Sequence, residues 1–400
     1  MSKNKTLSAA KSAKNDEFYT QYSDIQKEIN AYLDYDPDTF RDKTVLLPCD
    51  DPEWSNFTRF FAQNFETLGL KKLISTSYAP DAKKEKYGVL FEYAAERNGG
   101  RPKNERGKIF VLDHDTNASG RIDLDDLEWK YLEGDGDFRS EEVCKLRDEA
   151  DVIVTNPPFS LFREFLAWIL EGSKCCQCES VANANPNAQL EIGNIGNTGN
   201  IPKQFLIIGN MNAITYKEVF PLVMQNRLWL GASIHSGDRE FGVPKEYPLE
   251  AAGWRIDEEG NHFIRVKGVR WFTNIEHGRR HQPLQLMTER ENIKYSRHKE
   301  IRGVGYEKYA NYDALEVPYS DAIPDDYDGT MGVPISFLDK YCPEQFEILG
   351  MSLDLATPIK DCVESDAVYE KGGLRFYLKI GDKKYHRLYD RIVIRARRTE

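Results

Sequence analysis

The sequence predicts an α/β fold built on a mostly parallel sheet. From Asp16 to about Asn274, short apolar segments typical of buried strands alternate with amphipathic segments of helical periodicity. This alternation is typical of a parallel sheet covered by helices on both faces. Beyond Gly278 the periodicity weakens, and tyrosines and charges become frequent. We therefore expect a second, C-terminal domain of α+β type.

The strands and helices can be predicted in chain order. The first unit is a strand at Thr44–Leu47 followed by a helix over Asn56–Leu68, where phenylalanines recur at helical spacing. Ser160 is expected to cap a helix that ends at Gly172, and Thr215–Glu218 has a capping-box pattern that would open another. The remaining predicted strands are Lys72–Ser75, Lys130–Leu132, Asp151–Val154, Phe205–Ile208, Leu374–Ile380 and Arg391–Ile394, with a hairpin inserted in Tyr87–Asp113 around Asn98–Gly100.

These elements divide the chain into three regions. Residues 1–15 form a flexible basic arm, residues 16–277 the α/β domain and residues 278–400 the C-terminal domain. An Asn- and Gly-rich insertion at 173–203 is expected to be a flexible surface loop. Its cysteines, Cys175, Cys176 and Cys178, lack the second Cys or His pair that a zinc site needs, so no metal is expected.

Composition sets limits on partners and location. The formal net charge of -11 argues against a protein that coats nucleic acid by bulk attraction alone. Basic residues cluster locally, however, and clustering can neutralise phosphates, although a solvated face is the alternative. The polar N-terminus and the absence of a long apolar run predict a cytoplasmic protein without a membrane segment. The candidate phosphate contacts are Arg279, Arg280, Lys294, Arg297, Lys299 and Arg302.

The motif Asn156-Pro157-Pro158-Phe159 directly follows a predicted buried strand. An amino nitrogen conjugated to a ring, such as N6 of adenine, is a poor nucleophile because its lone pair is delocalised. The side-chain oxygen of Asn156 and the carbonyl of Pro157 could accept its two hydrogens and draw it out of conjugation. Phe159 offers a face for stacking a base. The alternative is a rigid strand-to-helix turn, which the position after a buried strand disfavours.

Several further motifs make the sequence resemble the EcoRI-type adenine-specific DNA methyltransferases over nearly the whole chain. The matching stretches are Asp16–Tyr22, Cys49–Pro52 with Ser55–Phe57, Gly134–Ser140, Thr155–Glu164, Ile214–Phe220, Met331–Ile335 and Pro343–Glu347. The resemblance implies a Rossmann-like domain that uses S-adenosylmethionine, with target recognition in the C-terminal domain. It implies that Phe18, Tyr19 and Thr20 contact the cofactor's methionine part. It also implies that the carboxylate of Asp137 accepts from the cofactor's adenine while Phe138 packs beside it.

One departure from that pattern concerns the loop after the first strand. Most methyltransferases have glycines there, whereas this loop is Pro48-Cys49-Asp50-Asp51-Pro52. We expect this loop, including Cys49, to border the cofactor, with Asp50 or Asp51 facing its sulfonium or amino group. Alternatively, the two acids begin a turn and cap the following helix. The acid that usually binds the ribose is also missing.

The resemblance implies methylation of N6 in double-stranded DNA by base flipping, within a type II restriction-modification system. A GAATTC-like palindrome is the expected target, and the protein is expected to act as a monomer, linked to an endonuclease by function rather than by contact. Two alternatives remain open at this point. One is methylation of guanine N2 in ribosomal RNA or of a glutamine amide, and the other is an inactive DNA-binding protein on a methyltransferase fold.

Overall fold

The computed structural model describes residues 18–53, 55–79, 106–115, 128–171, 203–235, 238–243, 245 and 253–398. The chain divides into unit one, Met1–Val219 with Gly231–Glu276, and unit two, Phe220–Leu230 with His277–Glu400. Phe220–Leu230 thus belongs to unit two, although it lies within the predicted region 16–277. The arm at 1–15, the turn at Asn98–Gly100 and residues 173–202 of the predicted insertion lie outside the described residues.

The strands are numbered in chain order. They are β1 (Thr44–Leu47), β2 (Lys72–Ser77), β3 (Lys108–Leu112), β4 (Trp129–Tyr131), β5 (Val152–Thr155), β6 (Gln204–Asn210), β7 (Trp229–Leu230), β8 (Asp238–Val243), β9 (Arg255–Ile256), β10 (His262–Lys267), β11 (Val269–Thr273), β12 (Leu315–Glu316), β13 (Met331–Pro334), β14 (Phe346–Met351), β15 (Val368–Tyr369), β16 (Tyr377–Gly381), β17 (Lys384–Arg387) and β18 (Arg391–Ala396). All seven strands predicted from the sequence are confirmed, with ends shifted by up to a few residues.

The helices are shorter than the sequence predicts. They are α1 (Tyr22–Leu33), α2 (Asn56–Gln63), α3 (Phe65–Leu68), α4 (Glu141–Glu149), α5 (Phe162–Glu171), α6 (Phe220–Met224), α7 (Glu289–Tyr295) and α8 (Ser352–Leu355). The single helix predicted over Asn56–Leu68 is split at Asn64, whose side chain donates to Phe60 O at 2.8 Å. This side-chain bond competes with the backbone bonds of a continuous helix.

Unit one is built on a large sheet in which β4, β3, β2, β1, β5, β6 and β11 follow one another. The four central strands β2, β1, β5 and β6 run parallel, while β3, β4 and β11 are antiparallel to their neighbours. Every residue of β1 and β5 is buried, as expected for parallel strands covered on both faces. The predicted α/β class with a parallel sheet at its centre is therefore confirmed.

Two predicted helix starts are wrong. The helix predicted to start directly after Ser160 does not start there: Ser160 lies in the 3-10 turn Phe159–Leu161, and α5 begins at Phe162. The turn forms because Leu161 N donates to Pro158 O at 2.9 Å, the tighter i to i+3 pattern. The predicted capping box at Thr215–Glu218 does not open a helix either. The next helix is α6, whose first turn contains Pro221, a residue suited to that position.

A buried carboxyl group fastens α1 to the rest of unit one. Glu28 is fully buried, and it accepts hydrogen bonds from Tyr32 Oη at 2.7 Å, Ala232 N at 2.8 Å and Ser233 N at 2.7 Å. Burial raises its pKa, because the charged form loses its hydration. At Gly231 a Cβ atom would lie 2.2 Å from Glu28 Oε1, so this approach requires glycine.

Unit two contains two further sheets and a small core of its own. One sheet has the order β12, β13, β18, β14, and the other has the order β15, β17, β16. Tyr309, Phe376 and Val393 are buried together, with the two rings stacked at a centroid distance of 4.3 Å. Arg391 donates to the largely buried Glu316 at 2.7 Å. This unit thus has both an apolar centre and a buried ion pair.

Two negative findings apply to the described ranges. None of their helices combines the length and the apolar composition that a membrane span requires. Nor do the same ranges bring together three or more His, Cys, Asp or Glu side chains in a way that could hold a metal ion. Cys49, Cys144, Cys342 and Cys362 are thiols rather than disulfides.

Replacing Glu28 by Ala is expected to lower the free energy of unfolding by about 2 to 5 kcal/mol, since two buried backbone N–H groups lose their acceptor and a cavity is left. The matched control is Glu258→Ala, an exposed glutamate of the same unit, which should change the value by less than about 0.5 kcal/mol. Urea denaturation followed by tryptophan fluorescence measures both. Equal effects of the two substitutions would contradict the assigned role of Glu28.

Candidate active site

The candidate site lies where the parallel strands of unit one end. The strand order changes direction at β1, which pairs with β2 on one side and with β5 on the other. Leu46 is in register with both Ile74 and Ile153, so the carboxyl ends of all three strands meet at one edge. In open α/β sheets this switch point is where ligands bind.

Asn156 stands directly after β5 and has a fixed orientation. Its Nδ2 donates to Phe18 O at 2.6 Å. Since a carbonyl oxygen only accepts, the amide nitrogen must be the atom on that side, and Oδ1 is left as the acceptor on the other. Oδ1 is buried and has no hydrogen-bond partner within the described part of the chain. Buried polar atoms are nearly always paired, so this one is available to a ligand.

The rest of the motif gives the site an aromatic wall. Pro157 is buried, while Pro158 and Phe159 are half-buried. The carbonyl that closes the 3-10 turn is that of Pro158, not that of Pro157. The ring of Phe159 meets the ring of Phe18 edge to face, with centroids 5.3 Å apart. Phe159 is thus held on one edge and keeps part of its surface exposed.

The segment Phe18–Thr20 lies beside Asn156, as expected of neighbouring parts of one site. Tyr19 forms an antiparallel bridge with Gly242, through Tyr19 N to Gly242 O at 2.8 Å and Gly242 N to Tyr19 O at 2.9 Å. Asn56 Nδ2 donates to Thr20 O at 2.8 Å. The hydroxyl of Thr20 is buried, and no described residue hydrogen-bonds to it. Two orphaned polar atoms, on Thr20 and Asn156, therefore lie on adjoining segments.

Asp50 lies in the loop after β1, and its side chain points into the protein. Only 7% of its surface is exposed. Its Oδ1 accepts from Ser55 Oγ at 2.7 Å and its Oδ2 from Thr155 Oγ1 at 2.7 Å. The pKa of Asp50 is raised to about 7, because the effect of burial, together with a smaller one from the charge of Asp51, outweighs the two hydroxyl bonds that lower it.

The other residues of this loop bear on its two predicted roles, a charge contact with the cofactor or a cap for the following helix. Asp51 is paired with Lys108 at 3.2 Å, and half-buried Cys49 precedes the acids. The residue that caps α2 is Ser55, which accepts from Phe57 N at 3.1 Å, so capping by the two acids is wrong. Both carboxylates already have partners within the chain. A charge contact with a ligand at this loop would thus have to compete with them.

The loop that carries Asp137 lies at the carboxyl end of β2. Gly136 has φ +79°, and a Cβ atom there would lie 2.2 Å from Ser77 O. Asp137 is bound by Arg139, which donates from Nε at 2.9 Å and from Nη2 at 2.6 Å. Phe138 is buried against Phe165 and Trp168, with ring centroids 5.1 and 5.6 Å away. The motif thus lies at the end of β2, with Asp137 bound to Arg139 and the ring of Phe138 packed against other aromatic rings.

The basic residues predicted to contact phosphate lie in unit two and differ in exposure. Arg279 is half-buried, and its Nε donates to Asp339 O at 3.4 Å. Arg280 is only 7% exposed, donates to Asn226 Oδ1 at 2.9 Å and stacks on Trp229 at 3.9 Å from the ring centroid. The side chains exposed to solvent are those of Lys294, Arg297, Lys299 and Arg302, of which Arg297 also pairs with Asp321 at 2.7 Å. The structure therefore separates four surface cations from two that are held within unit two.

Four contacts at the site were not predicted from the sequence. Thr155 and Ser55 hold the carboxyl group of Asp50, Lys108 pairs with Asp51, and Arg139 binds Asp137. The pairs Thr155–Asp50 and Lys108–Asp51 join residues far apart in the chain and depend on strand order. Ser55 and Arg139 lie five and two residues from their partners, so those two contacts depend on the local conformation of each loop.

The chain matches a known protein family over most of its length. The chain matches the family described as "Adenine-specific methyltransferase EcoRI" over residues 6–184 and 177–397. It is 40% identical over 346 residues to the Type II methyltransferase M.EcoRI of Escherichia coli, covering 86% of this chain and 89% of the relative.

More distant relatives extend over the whole length. The Type II methyltransferase M.MpnI of Mycoplasma pneumoniae is 30% identical over 395 residues, covering 98% of each chain. M.MgeORF184P of Mycoplasma genitalium is 29% identical over 387 residues, covering 94% of this chain and 97% of the relative. No solved structure matches the chain.

Gly136→Ala should destabilise the protein by more than its backbone angle alone requires. The matched control is Gly260→Ala, because Gly260 has nearly the same φ, +81°, but nothing within 4 Å of its added Cβ. The left-handed backbone should cost about 1 to 2 kcal/mol at either position. The clash with Ser77 O should add at least about 1 kcal/mol at Gly136. Equal losses in urea denaturation would show that the loop is not held against β2 as described.

Proposed function

The chain belongs to the EcoRI-type family of adenine-specific methyltransferases, and on this basis we propose that it methylates N6 of adenine in double-stranded DNA. The methyl donor in this proposal is S-adenosylmethionine. The observation that carries the proposal is the buried, unpartnered Oδ1 of Asn156 at the switch point of the sheet. Family membership disfavours the alternative acceptors, which were guanine N2 and a glutamine amide.

The proposed chemistry begins with the adenine amino group. Asn156 Oδ1 and the carbonyl of Pro157 accept its two hydrogens, which concentrates the nitrogen lone pair for attack. The hydrogen bond from Asn156 Nδ2 to Phe18 O keeps Oδ1 of Asn156 pointing toward the adenine amino group while that group reacts. Such preorganised acceptors need no reorganisation as charge develops, which is the main source of electrostatic catalysis. Neither a covalent enzyme intermediate nor a metal is required.

The adenine must leave the duplex to reach these acceptors. Rotating a base out of the stack costs a few kcal/mol. The exposed part of Phe159 offers a stacking face, and base-aromatic stacking is worth about 1 to 3 kcal/mol. Since Phe18 braces the ring of Phe159 at 5.3 Å, the stacking face is fixed before the base arrives.

The residues around Asn156 fit a cofactor at the same edge. When bound, S-adenosylmethionine supplies a methyl carbon made electrophilic by its sulfonium. Phe18, Tyr19 and Thr20 would hold its methionine part, and the orphaned hydroxyl of Thr20 is free to bond to it. Asp137 would accept from its adenine by sharing its oxygens with Arg139, with Phe138 as part of the wall behind. The loop from Cys49 to Asp51 would border it.

Unit two is the proposed target-recognition region. The exposed cations Lys294, Arg297, Lys299 and Arg302 are suited to phosphate contacts. Arg279 and Arg280 are less suited because their guanidinium groups are bound within the unit at half-buried and buried positions, whereas Arg297, which pairs with Asp321, is exposed. A GAATTC-like palindrome remains the proposed target, in a type II restriction-modification system whose endonuclease acts separately, with this protein acting as a monomer.

Asn156→Ala should reduce kcat for methyl transfer to duplex DNA by about 10²- to 10³-fold, the usual cost of losing one preorganised hydrogen-bonding group. Binding of S-adenosylmethionine, measured by calorimetry, should be retained. The control Asn261→Ala, in an exposed turn of unit one, should retain full activity. Near-normal transfer by the Asn156 variant, with labelled cofactor and sequencing for N6-methyladenine, would contradict the proposed role.

Replacing the four exposed cations of unit two together by Ala should flatten the salt dependence of DNA binding. Each lost phosphate contact reduces the slope of log K against log salt by about 0.9. Lys383→Ala is the control, because Lys383 is already paired with Glu364 and Asp366 in the same unit. Fluorescence anisotropy with a labelled duplex measures the slopes. An unchanged slope in the fourfold variant would reject these contacts.

A further inference from the structure

We propose that Asp50 is a positioning residue for methyl transfer, which ties the loop after β1 to the strand end that carries Asn156. The proposal rests on the proposed function. It differs from the expectation that Asp50 faces the cofactor, because the carboxyl group is buried and accepts its side-chain hydrogen bonds from Ser55 and Thr155. Its effect would pass through Thr155, the residue that precedes Asn156.

The geometry places Asp50 at a junction of four elements. Its two carboxyl oxygens accept from Thr155 at the end of β5 and from Ser55 at the start of α2, both at 2.7 Å. Its backbone is bound to the end of β2, with Asp50 N donating to Thr76 O at 2.9 Å and Ser75 Oγ donating to Asp50 O at 2.7 Å. One residue thus sets the spacing between the predicted cofactor loop and the predicted catalytic motif.

A carboxylate is chemically suited to this junction. Its two oxygens point in divergent directions and can each accept a hydroxyl, whereas an amide offers only one acceptor. No cation pairs with Asp50 among the residues that the structure describes, so its burial carries a cost that no ion pair offsets. A side chain needed only to fill space would avoid that cost. Holding the loop after β1 at a fixed distance from the motif at Asn156 is a role that explains why a buried carboxylate is present.

The same geometry predicts a dependence on pH. Above about pH 7 the group is ionised and accepts both hydroxyl bonds. Below that pH it carries a proton, one oxygen becomes a donor, and one hydroxyl bond weakens. The charged group that acts on Asp50 is Asp51, which is itself paired with Lys108. The side chains that face Asp50 from α2, β2 and β5 are neutral hydroxyls. Activity should therefore fall as the pH drops through about 7.

The test compares Asp50→Asn and Thr155→Val with Thr273→Val. Thr273 is a matched control, because it is also fully buried and its hydroxyl donates to Phe205 O at 2.7 Å on the same sheet, away from the site. Steady-state methylation of duplex DNA would be measured from about pH 5.5 to about pH 8.5. Even a small misplacement of the reacting groups lowers kcat strongly. We therefore expect kcat to fall at least about tenfold in both Asp50→Asn and Thr155→Val at the upper pH.

Three results together support the proposal. First, Asp50→Asn and Thr155→Val reduce kcat by a larger factor than they change KM for DNA. Second, the decline in kcat near pH 7 that the wild type shows is absent in Asp50→Asn. Third, kcat of the double variant is no lower than that of the less active single variant. Thr273→Val should match the wild type. If Asp50→Asn fails to fold, the proposal is tested by Thr155→Val alone, whose kcat should still be at least about tenfold below that of Thr273→Val.

Other results would overturn it. Wild-type kcat in Thr155→Val, or a decline near pH 7 that persists in Asp50→Asn, would show that Asp50 serves stability alone. These outcomes leave the proposed function intact, because the wild-type protein still methylates adenine in them. A wild-type protein that transfers no methyl group to DNA would instead reject the proposed function itself.

Discussion

The hydrogen bond from Asn156 Nδ2 to Phe18 O is the interaction on which the candidate site depends. It joins residues 138 positions apart in the chain and leaves a single outcome for the amide, in which Oδ1 is the free acceptor. It also joins the two segments proposed to hold substrate and cofactor. Without it, the oxygen and the nitrogen of the amide could exchange places, and a donor would face the amine of the base.

The sheet explains how this bond can be maintained. Because β1, β2 and β5 end at one edge, the loops that follow them converge, and buried hydroxyl and carboxyl groups connect them below the surface. Asp50, which follows β1, bonds by itself to β2, β5 and the start of α2. The site is thus a set of short loops whose relative positions are fixed by polar contacts inside an otherwise apolar core, which suits a reaction that depends on alignment.

Much of the fold and the location of the site follow from local sequence patterns. The strand at Thr44–Leu47 is a continuous apolar run, and Asn156–Phe159 stands after another such strand, so both could be placed without a structure. The expected helix start at Ser160 was wrong because the turn formed by Pro158 takes precedence there. The partners of Asp50, Asp51 and Arg280 could not be predicted, since they depend on strand order and on burial.

The most direct test of the central claim is a crystal structure of the protein with a duplex containing its target and a non-reactive analogue of S-adenosylmethionine. The account predicts an adenine outside the helix, its N6 within about 2.7 to 3.2 Å of Asn156 Oδ1, and its ring on Phe159. An adenine that remains stacked in the duplex, or an Asn156 whose Oδ1 bonds to the protein instead, would contradict it.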